Sequence, residues 1–143
     1  MLVKQLSVFV ENKPGKLSAV TRLLADNNID IRAFSVADSR DFGILRLIVN
    51  DPDKASEVLK AAEVTISVTN VIAVCIGDRP GGLAEAVECL YKANISVEYM
   101  YAFVEKSGDD AYAILRVENN DKALEALTDG GFTILSAEKV YSI

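Results

Sequence analysis

A short turn motif that occurs twice in the sequence constrains the fold of this chain more than any other feature. Each copy follows an apolar run and opens a segment with helical spacing, which predicts a strand-to-helix turn. Proline suits the first position of a helix, because its missing N–H would have no partner there. The two copies are Asn12-Lys13-Pro14-Gly15-Lys16-Leu17 and Asp78-Arg79-Pro80-Gly81-Gly82-Leu83.

Both turns have the chemistry of an anion-binding site. Glycine lacks a Cβ atom, so a small ligand or another backbone segment can approach the start of the helix closely. The free N–H groups of the first helical turn, together with the helix dipole, favour a carboxylate or a phosphate. Two such turns in equivalent places predict a pair of related binding sites.

The pattern of apolar residues predicts the element order βαββαβ in each half of the chain. Helices are predicted after the first turn and from Pro52, with the Asp51 carboxylate as the cap of the second helix, and a hairpin loop is predicted at 38–43. The second half repeats this order, with a longer hairpin loop around 106–109 and a closing strand at 132–140. The predicted strands of the first half are 5–11, 31–37, 44–49 and 64–69.

The repeat predicts an α+β fold with one ferredoxin-like unit over residues 1–69 and another over 70–143. No linker rich in proline or glycine separates the two copies. We therefore expect their antiparallel sheets to lie side by side as one eight-stranded sheet, with four helices on one face. Joining the sheets in this way covers two strand edges that would otherwise be exposed.

The composition argues against several classes of function. A net charge of −6 over 143 residues makes nucleic acid or an anionic membrane an unsuitable partner. The chain has no histidine, and two cysteines, Cys75 and Cys89, are too few for a zinc cluster. We expect no metal, no cofactor and no catalytic residue. The thiols are expected to pack as small apolar groups, and a disulfide between them stays open.

The expected location is the cytoplasm. The start of the chain lacks a signal-peptide pattern, and no apolar run reaches the length that crosses a bilayer.

Both halves resemble ACT domains, which are small βαββαβ regulatory modules that bind amino acids. The shared motif is a polar residue followed by x-Pro-Gly-x-Leu after the first strand, with Asn-Ile-x-Ile or Asn-Ile-x-Val after the first helix. The two turns carry the first part of this motif, and the resemblance covers essentially the whole chain. Its second part is Asn28-Ile29-Asp30-Ile31 and Asn94-Ile95-Ser96-Val97.

The resemblance implies two ligand sites, because ligands of ACT domains commonly lie between two modules. The first turn of one module and the start of the second strand of the other hold the ligand. Some family members have a histidine at the position of Val10, so a contact from that imidazole is lost here. One implied site takes Asn12, Lys13, Gly15, Lys16 and Leu17 with Ser96 and Val97. The other takes Asp78, Arg79, Gly81, Gly82 and Leu83 with Asp30 and Ile31.

The resemblance also implies a regulatory protein that binds a free amino acid and has no chemistry of its own. Because no catalytic domain is attached, the protein would act on a separate partner, such as a metabolic enzyme, or as a free-standing sensor. Two other classes stay open: a structural subunit that binds no ligand, and a small enzyme on the ferredoxin-like fold. The lack of a convergent nucleophile, base or metal set weighs against the enzyme.

The second turn is expected to bind a zwitterionic amino acid more tightly than the first. Gly81 and Gly82 leave room for close approach, and Asp78 with Asp30 supplies acceptors for an ammonium group. The lysines of the first turn suit a ligand with an extra negative charge; the alternative is that the first site stays empty.

Apolar residues on the predicted helix-free face of the sheet favour association of two copies of the chain. Such a surface is too large to leave in contact with water, so a homodimer is expected. The residues are Phe9, Phe34, Val36, Ile44 and Ile48.

Overall fold

The computed structural model describes residues 2–38, 41–104 and 108–143. They fall into two units, which are described in turn. The first-repeat unit comprises Lys4–Thr69 and Tyr141–Ile143, and the second-repeat unit comprises Met1–Val3 and Asn70–Val140. The hairpin loops predicted at 38–43 and 106–109 lie partly outside the described residues.

The sheet of the first-repeat unit is antiparallel, with strand order β2-β3-β1. The start of β4 follows the loop at Thr65, whose carbonyl accepts a hydrogen bond from the N–H of Phe9 at 3.0 Å. The strands are β1 (Val3–Glu11), β2 (Ile31–Asp38), β3 (Phe42–Val49) and β4 (Ile66–Gly77).

Two helices, α1 (Lys16–Asp26) and α2 (Pro52–Ala61), cover one face of this sheet. As predicted, α2 begins with Pro52 after the Asp51 cap, whose side chain accepts a hydrogen bond from the N–H of Lys54. Apolar side chains of the helices and the sheet meet between the two layers, and their removal from water is the main driving force for packing. The core is formed by Leu6, Val8, Val10, Val20, Leu24, Ile29, Leu45, Leu47, Val49, Ala55 and Leu59.

The asparagine of each Asn-Ile pair ends a helix. Asn28 and Asn94 both have φ 59°, the left-handed conformation that asparagine tolerates better than most residues. The N–H of Ile29 then donates to the carbonyl of Leu24 at 3.0 Å, and the N–H of Ile95 donates to that of Leu90 at 2.9 Å. This part of the motif therefore has a structural role in both repeats.

The sheet of the second-repeat unit is likewise antiparallel, with strand order β4-β6-β5. Its helices again share one face of the sheet. The new elements are α3 (Gly82–Lys92), β5 (Val97–Ala102), β6 (Asp110–Val117) and α4 (Asn120–Asp129). Its core consists of Ile72, Val74, Leu90, Ala113, Leu115, Val117, Ala123 and Leu127. The prediction of an α+β fold with two ferredoxin-like modules is confirmed.

The prediction of eight strands is wrong, because the described residues form six. The strands expected at 64–69 and 71–76 are one strand, β4. In place of the closing strand at 132–140, Ile134 forms a single bridge with Val74, and the chain then enters α5 (Ala137–Ser142). The side chain of Ser136 accepts a hydrogen bond from the N–H of Lys139 at 3.2 Å, which favours this helix start.

A β-bulge at the start of β2 moves two apolar side chains to the opposite face of the sheet. The pairing with β3 shifts between Ile31 and Ala33, so Phe34 lies opposite Leu47 and Val36 opposite Leu45. Because Leu45 and Leu47 point to the helices, Phe34 and Val36 do as well, and their predicted helix-free placement is wrong.

The remaining members of the predicted helix-free patch keep that face. Phe9 lies opposite Ile44 in the pairing of β1 with β3. Phe9 is exposed and Ile44 half-buried, whereas Ile48 is fully buried and offers no surface.

Candidate functional site

The first turn, residues 12–17, connects β1 to α1 through a left-handed glycine. Gly15 has φ 87° and ψ −16°, and α1 begins at Lys16. The N–H of Lys16 donates to the carbonyl of Lys13 at 3.3 Å, which closes a β-turn with Pro14 and Gly15 at its centre. A Cβ at Gly15 would strain this backbone, so the turn requires glycine.

The second turn, residues 78–83, has nearly the same backbone. Gly81 has φ 90° and ψ −12°, and α3 begins at Gly82. The N–H of Gly82 donates to the carbonyl of Arg79 at 3.0 Å, as the equivalent groups do in the first turn. The two sequence copies therefore form the same turn.

The prolines precede the helices, so their predicted place at the first helical position is wrong. Pro14 and Pro80 each lie one residue before the glycine that caps the helix. Proline at the second position and a glycine of positive φ at the third are typical of a type II turn. The dipeptide is thus selected by the turn and not by the helix.

Both turns present backbone donors. In the described part of the chain, no hydrogen bond has the N–H of Gly15, Leu17 or Ser18 as its donor. The same holds for the equivalent N–H groups of Gly81, Leu83 and Ala84. Apart from the glycine itself and its two chain neighbours, no heavy atom of the described residues lies within 4 Å of the position that a Cβ would take at Gly15 or Gly81. Each turn therefore has open space beside donors that suit a carboxylate.

Polar side chains surround the first turn. Asn12 Nδ2 donates to Asp38 Oδ1 at 2.7 Å, and Lys13 Nζ lies 3.1 Å from Glu11 Oε2. The hydrogen bond and charge of Lys13, with the charge of Lys16, lower the pKa of Glu11 below its ordinary value. The turn combines backbone donors, two cations and two carboxylates, so it can receive both charged ends of a zwitterion.

The second turn holds its cation differently. Arg79 Nη2 donates to Glu85 Oε2 at 2.7 Å, and this contact raises the pKa of Arg79 above its ordinary value. The guanidinium is therefore directed along α3, toward a carboxylate of the same helix.

Gly82 has no free space beside it, unlike the glycine before it. A Cβ at Gly82 would overlap the carbonyl oxygen of Gly77, so the end of β4 fills the room that the sequence suggested for a ligand. Lys16, the equivalent residue of the first turn, carries an exposed side chain. Backbone packing therefore accounts for the glycine at position 82.

Two adjoining hollows extend from the first turn. The mixed hollow, of about 80 Å³, is lined by Glu11, Asn12 and Lys13 together with apolar residues. The apolar hollow, of about 170 Å³, lies between α1 and β2. Leu17, Val36 and Leu45 line both of them. The rest of the apolar hollow is formed by Thr21, Ile31, Phe34 and Leu47.

The strand starts carry the other predicted site residues. Asp30 Oδ2 accepts a hydrogen bond from Arg32 Nη1 at 2.7 Å, and Ile31 lines the apolar hollow beside Leu17. In the second-repeat unit, Ser96 lines a hollow of about 760 Å³ together with Glu98 and Asp121, and Val97 packs on the core. Within the first-repeat unit, the structure brings Leu17 and Ile31 together.

Sequence reasoning missed several residues that line or support the hollows, including Glu11, Leu45 and Leu47. Phe34 and Val36 were assigned to the wrong face, and neither Thr21 nor Asp38 was singled out. Thr21 lies one helical turn after Leu17, so the spacing of α1 could have indicated that it shares the hollow.

The structure contains no arrangement of metal ligands within residues 2–38, 41–104 and 108–143. Both thiols are free and half-buried, Cys75 on β4 and Cys89 on α3. Burial, with a smaller contribution from the nearby Asp110 carboxylate, raises the pKa of Cys75 above its ordinary value. The thiol is therefore a poor nucleophile near neutral pH.

The repeated turns and the two modules are consistent with the protein family that the sequence matches. The sequence model for the ACT domain pair matches residues 1–142. The chain belongs to the ACT domain pair family. ACT domains are regulatory rather than catalytic modules and typically bind small molecules.

Several solved structures are similar to this chain. A protein from Bacteroides thetaiotaomicron has 38% identity and a TM-score of 0.93, and the match covers 100% of this chain and 98% of that one. The ligand-free regulatory subunit of aspartate kinase from Thermus thermophilus has 19% identity and a TM-score of 0.62, covering 90% and 93%. The subunit from Thermus flavus has 15% identity and a TM-score of 0.58, covering 92% and 94%. The two Thermus structures share the fold.

No curated protein matches the sequence. Among the described helices of this ACT pair, none is both long enough and apolar enough to cross a bilayer.

Proposed function

We propose that this ACT domain pair is a regulatory protein that binds a free amino acid at its helix-opening turns. The observation that carries the proposal is the set of unbonded N–H groups beside an open left-handed glycine in each turn. A ligand carboxylate there would accept two or three backbone hydrogen bonds and interact favourably with the helix dipole.

The first turn also offers groups for the ligand's ammonium. Because Asn12 donates its amide to Asp38, its side-chain oxygen is left as an acceptor beside the carboxylates of Asp38 and Glu11. Hydrogen bonds in which both partners are charged are the stronger ones, so this end would fix the orientation of an amino acid.

The structural observations favour the first turn over the second as the binding site for the amino acid. The sequence favoured the second turn because of the space at Gly82 and the carboxylate of Asp30. Gly77 occupies that space, and Asp30 already pairs with Arg32. The first turn, by contrast, has two hollows beside it that differ in polarity. The proposed contacts of this turn are Asn12, Lys13, Gly15, Lys16 and Leu17, with Ser96 and Val97 as proposed partners.

The second turn is retained as a weaker site with the same backbone donors. Its proposed contacts are Asp78, Arg79, Gly81, Gly82 and Leu83, with Asp30 and Ile31.

With its amino acid bound, the protein is proposed to act on a separate enzyme of amino-acid metabolism, or as a free-standing sensor. The Thermus neighbours, which are regulatory subunits of aspartate kinase, support the first form of the proposal. A homodimer in the cytoplasm is the proposed state of the protein.

A thermal-shift screen of the full chain against the twenty amino acids tests the proposal. A ligand that binds only the folded state stabilises it by about 2.7 kcal/mol at a hundredfold excess over its dissociation constant. We expect at least one amino acid to raise the melting temperature. If none does at millimolar concentration, the protein is instead a subunit that binds no amino acid.

Calorimetry on Asn12→Ala and Asp78→Ala then assigns the site, because the two residues are equivalent in the repeats. Losing a hydrogen bond to a charged ligand group typically costs about 1.5–3 kcal/mol, so Asn12→Ala should weaken binding about tenfold to a hundredfold. Asp78→Ala, the matched control, should leave the affinity nearly unchanged. The reverse result would assign the ligand to the second turn.

A further inference from the structure

We propose that the first-turn site selects amino acids with an aliphatic side chain, of the size of valine, leucine or isoleucine. The inference rests on the proposed function and assigns the apolar hollow between α1 and β2 as the seat of the ligand side chain. Leu17, Val36 and Leu45 line both hollows, so one small molecule can reach from one to the other.

The size of the apolar hollow suits such a group. An apolar cavity of about 150 Å³ accommodates a molecule of the size of benzene. The hollow of about 170 Å³ therefore has room for the three or four carbons of an aliphatic side chain. Leu45 and Leu47 form its floor and are buried, whereas Phe34 and Val36 form its outer wall and are exposed. A bound side chain would cover apolar surface that now faces water.

The lining offers a polar side chain no free hydrogen-bond donor and only one side-chain acceptor. Thr21 carries the one hydroxyl, and it lies within hydrogen-bond distance of two carbonyls of its own helix, those of Leu17 at 3.0 Å and Ser18 at 3.1 Å. Its donor is therefore already used. A polar or charged group placed here would lose its water and could gain at most the Thr21 hydroxyl oxygen as an acceptor, which disfavours ligands such as serine, aspartate or lysine.

The equivalent region of the second repeat provides a matched comparison. Val87 takes the place of Thr21, and Met100, opposite Leu115, takes the place of Phe34. Met100 is half-buried and packs on the core of its own unit, whereas Phe34 stays mostly exposed. In the second repeat, the flexible methionine side chain can fill the space that, in the first repeat, stays open beside Phe34.

Calorimetry of the full chain with glycine, alanine, valine, leucine, isoleucine, serine, aspartate and lysine tests the inference. Each added methylene in an apolar pocket is worth about 0.8 kcal/mol, which is about fourfold. Leucine or isoleucine should therefore bind roughly tenfold to a hundredfold more tightly than alanine. Tightest binding of serine, aspartate or lysine would overturn the inference and leave the proposed function standing. If no amino acid binds, both fail.

A size variant tests whether the apolar hollow itself holds the ligand side chain. The Thr21→Leu substitution places a larger side chain in the hollow and favours the helix. It should therefore lower the affinity for leucine about tenfold or more, while the affinities for glycine and alanine change by about twofold or less. Val87→Leu, the matched control in the second repeat, should change neither. Equal loss for alanine and leucine, or no loss, would overturn the inference. So would a changed association state with unchanged leucine affinity, because the hollow would then be a contact between copies.

Discussion

Arg32 and Asp30 form an ion pair at the start of β2, with Nη1 donating to Oδ2 at 2.7 Å. The guanidinium side chain is 21% exposed, and its Nε atom is buried without a hydrogen-bond partner in the described residues. Nη2 donates to the carbonyl of Tyr141 over a longer distance of 3.4 Å. Asp30 is therefore the main partner of a largely buried charge.

A double-mutant cycle with Arg32→Met and Asp30→Asn should detect this pair. Because Asp30 is 64% exposed, we expect a coupling free energy of only about 0.5–1 kcal/mol in urea unfolding. The matched control is the exposed pair of Arg22 and Asp26, whose atoms are 4.0 Å apart and whose coupling should be near zero. Equal coupling in the two cycles would contradict the structural role assigned to Asp30.

Gly82 should tolerate substitution far less than the equivalent Lys16. A Cβ at Gly82 would overlap the carbonyl oxygen of Gly77, and backbone cannot move aside as a flexible side chain can. Gly82→Ala should lower the free energy of unfolding by about 1–3 kcal/mol, as overpacking typically does. Lys16→Ala, at an exposed position, should change it by less than about 0.5 kcal/mol. Urea unfolding of the two variants measures both, and similar small effects would argue against the close contact with β4.

The element order was predictable because the apolar periodicity is strong in both repeats. The register of β2 was not, because a bulge depends on how two strands pair, and Phe34 with Val36 alternates equally well for either face. The helix α5 was missed for a different reason. Its apolar Val140 suits a strand as well as a helix, and only the Ser136 cap distinguishes the two.

The same limits apply to the candidate site. The repeated Pro-Gly indicated the turns, because a positive φ favours glycine on any fold. The sequence could not show why residue 82 is a glycine, since the reason depends on the distance between β4 and α3. The pairing of Asp30 with Arg32 is local, and its i, i+2 spacing was visible in the sequence.

Glu11 should titrate below its ordinary pKa because of the two lysines of the first turn. Since its pKa is lower in the folded than in the unfolded state, this contribution to stability is present above the unfolded-state pKa. It is lost as the pH falls through the lowered folded-state value. Lys13→Gln should raise the pKa of Glu11 toward its ordinary value, and NMR titration of the side-chain carboxyl carbon measures it. Lys60→Gln, on α2, should leave it unchanged; a similar shift in both variants would contradict the assigned cause.

The helix-free face of the first-repeat sheet is the surface that we expect to join two copies of the chain. Phe9 and Phe42 are 42% and 51% exposed on this face, and Ile44 lies opposite Phe9 in the strand pairing. Burying a phenylalanine contributes about 1.5–3 kcal/mol, so replacing both should remove most of the apolar driving force for association.

Sedimentation velocity at tens of micromolar should therefore show a dimer for the unchanged chain and a monomer for the Phe9→Ser/Phe42→Ser variant. Tyr91→Ser on α3 is the control, because Tyr91 is more exposed than either phenylalanine but lies on a helix of the other unit. It should leave the dimer intact. Because Phe9 and Phe42 lie on the face opposite the apolar hollow, the double variant should keep its affinity for the amino acid. A monomeric unchanged chain, or a dimer that survives both substitutions, would show that this face does not join the copies.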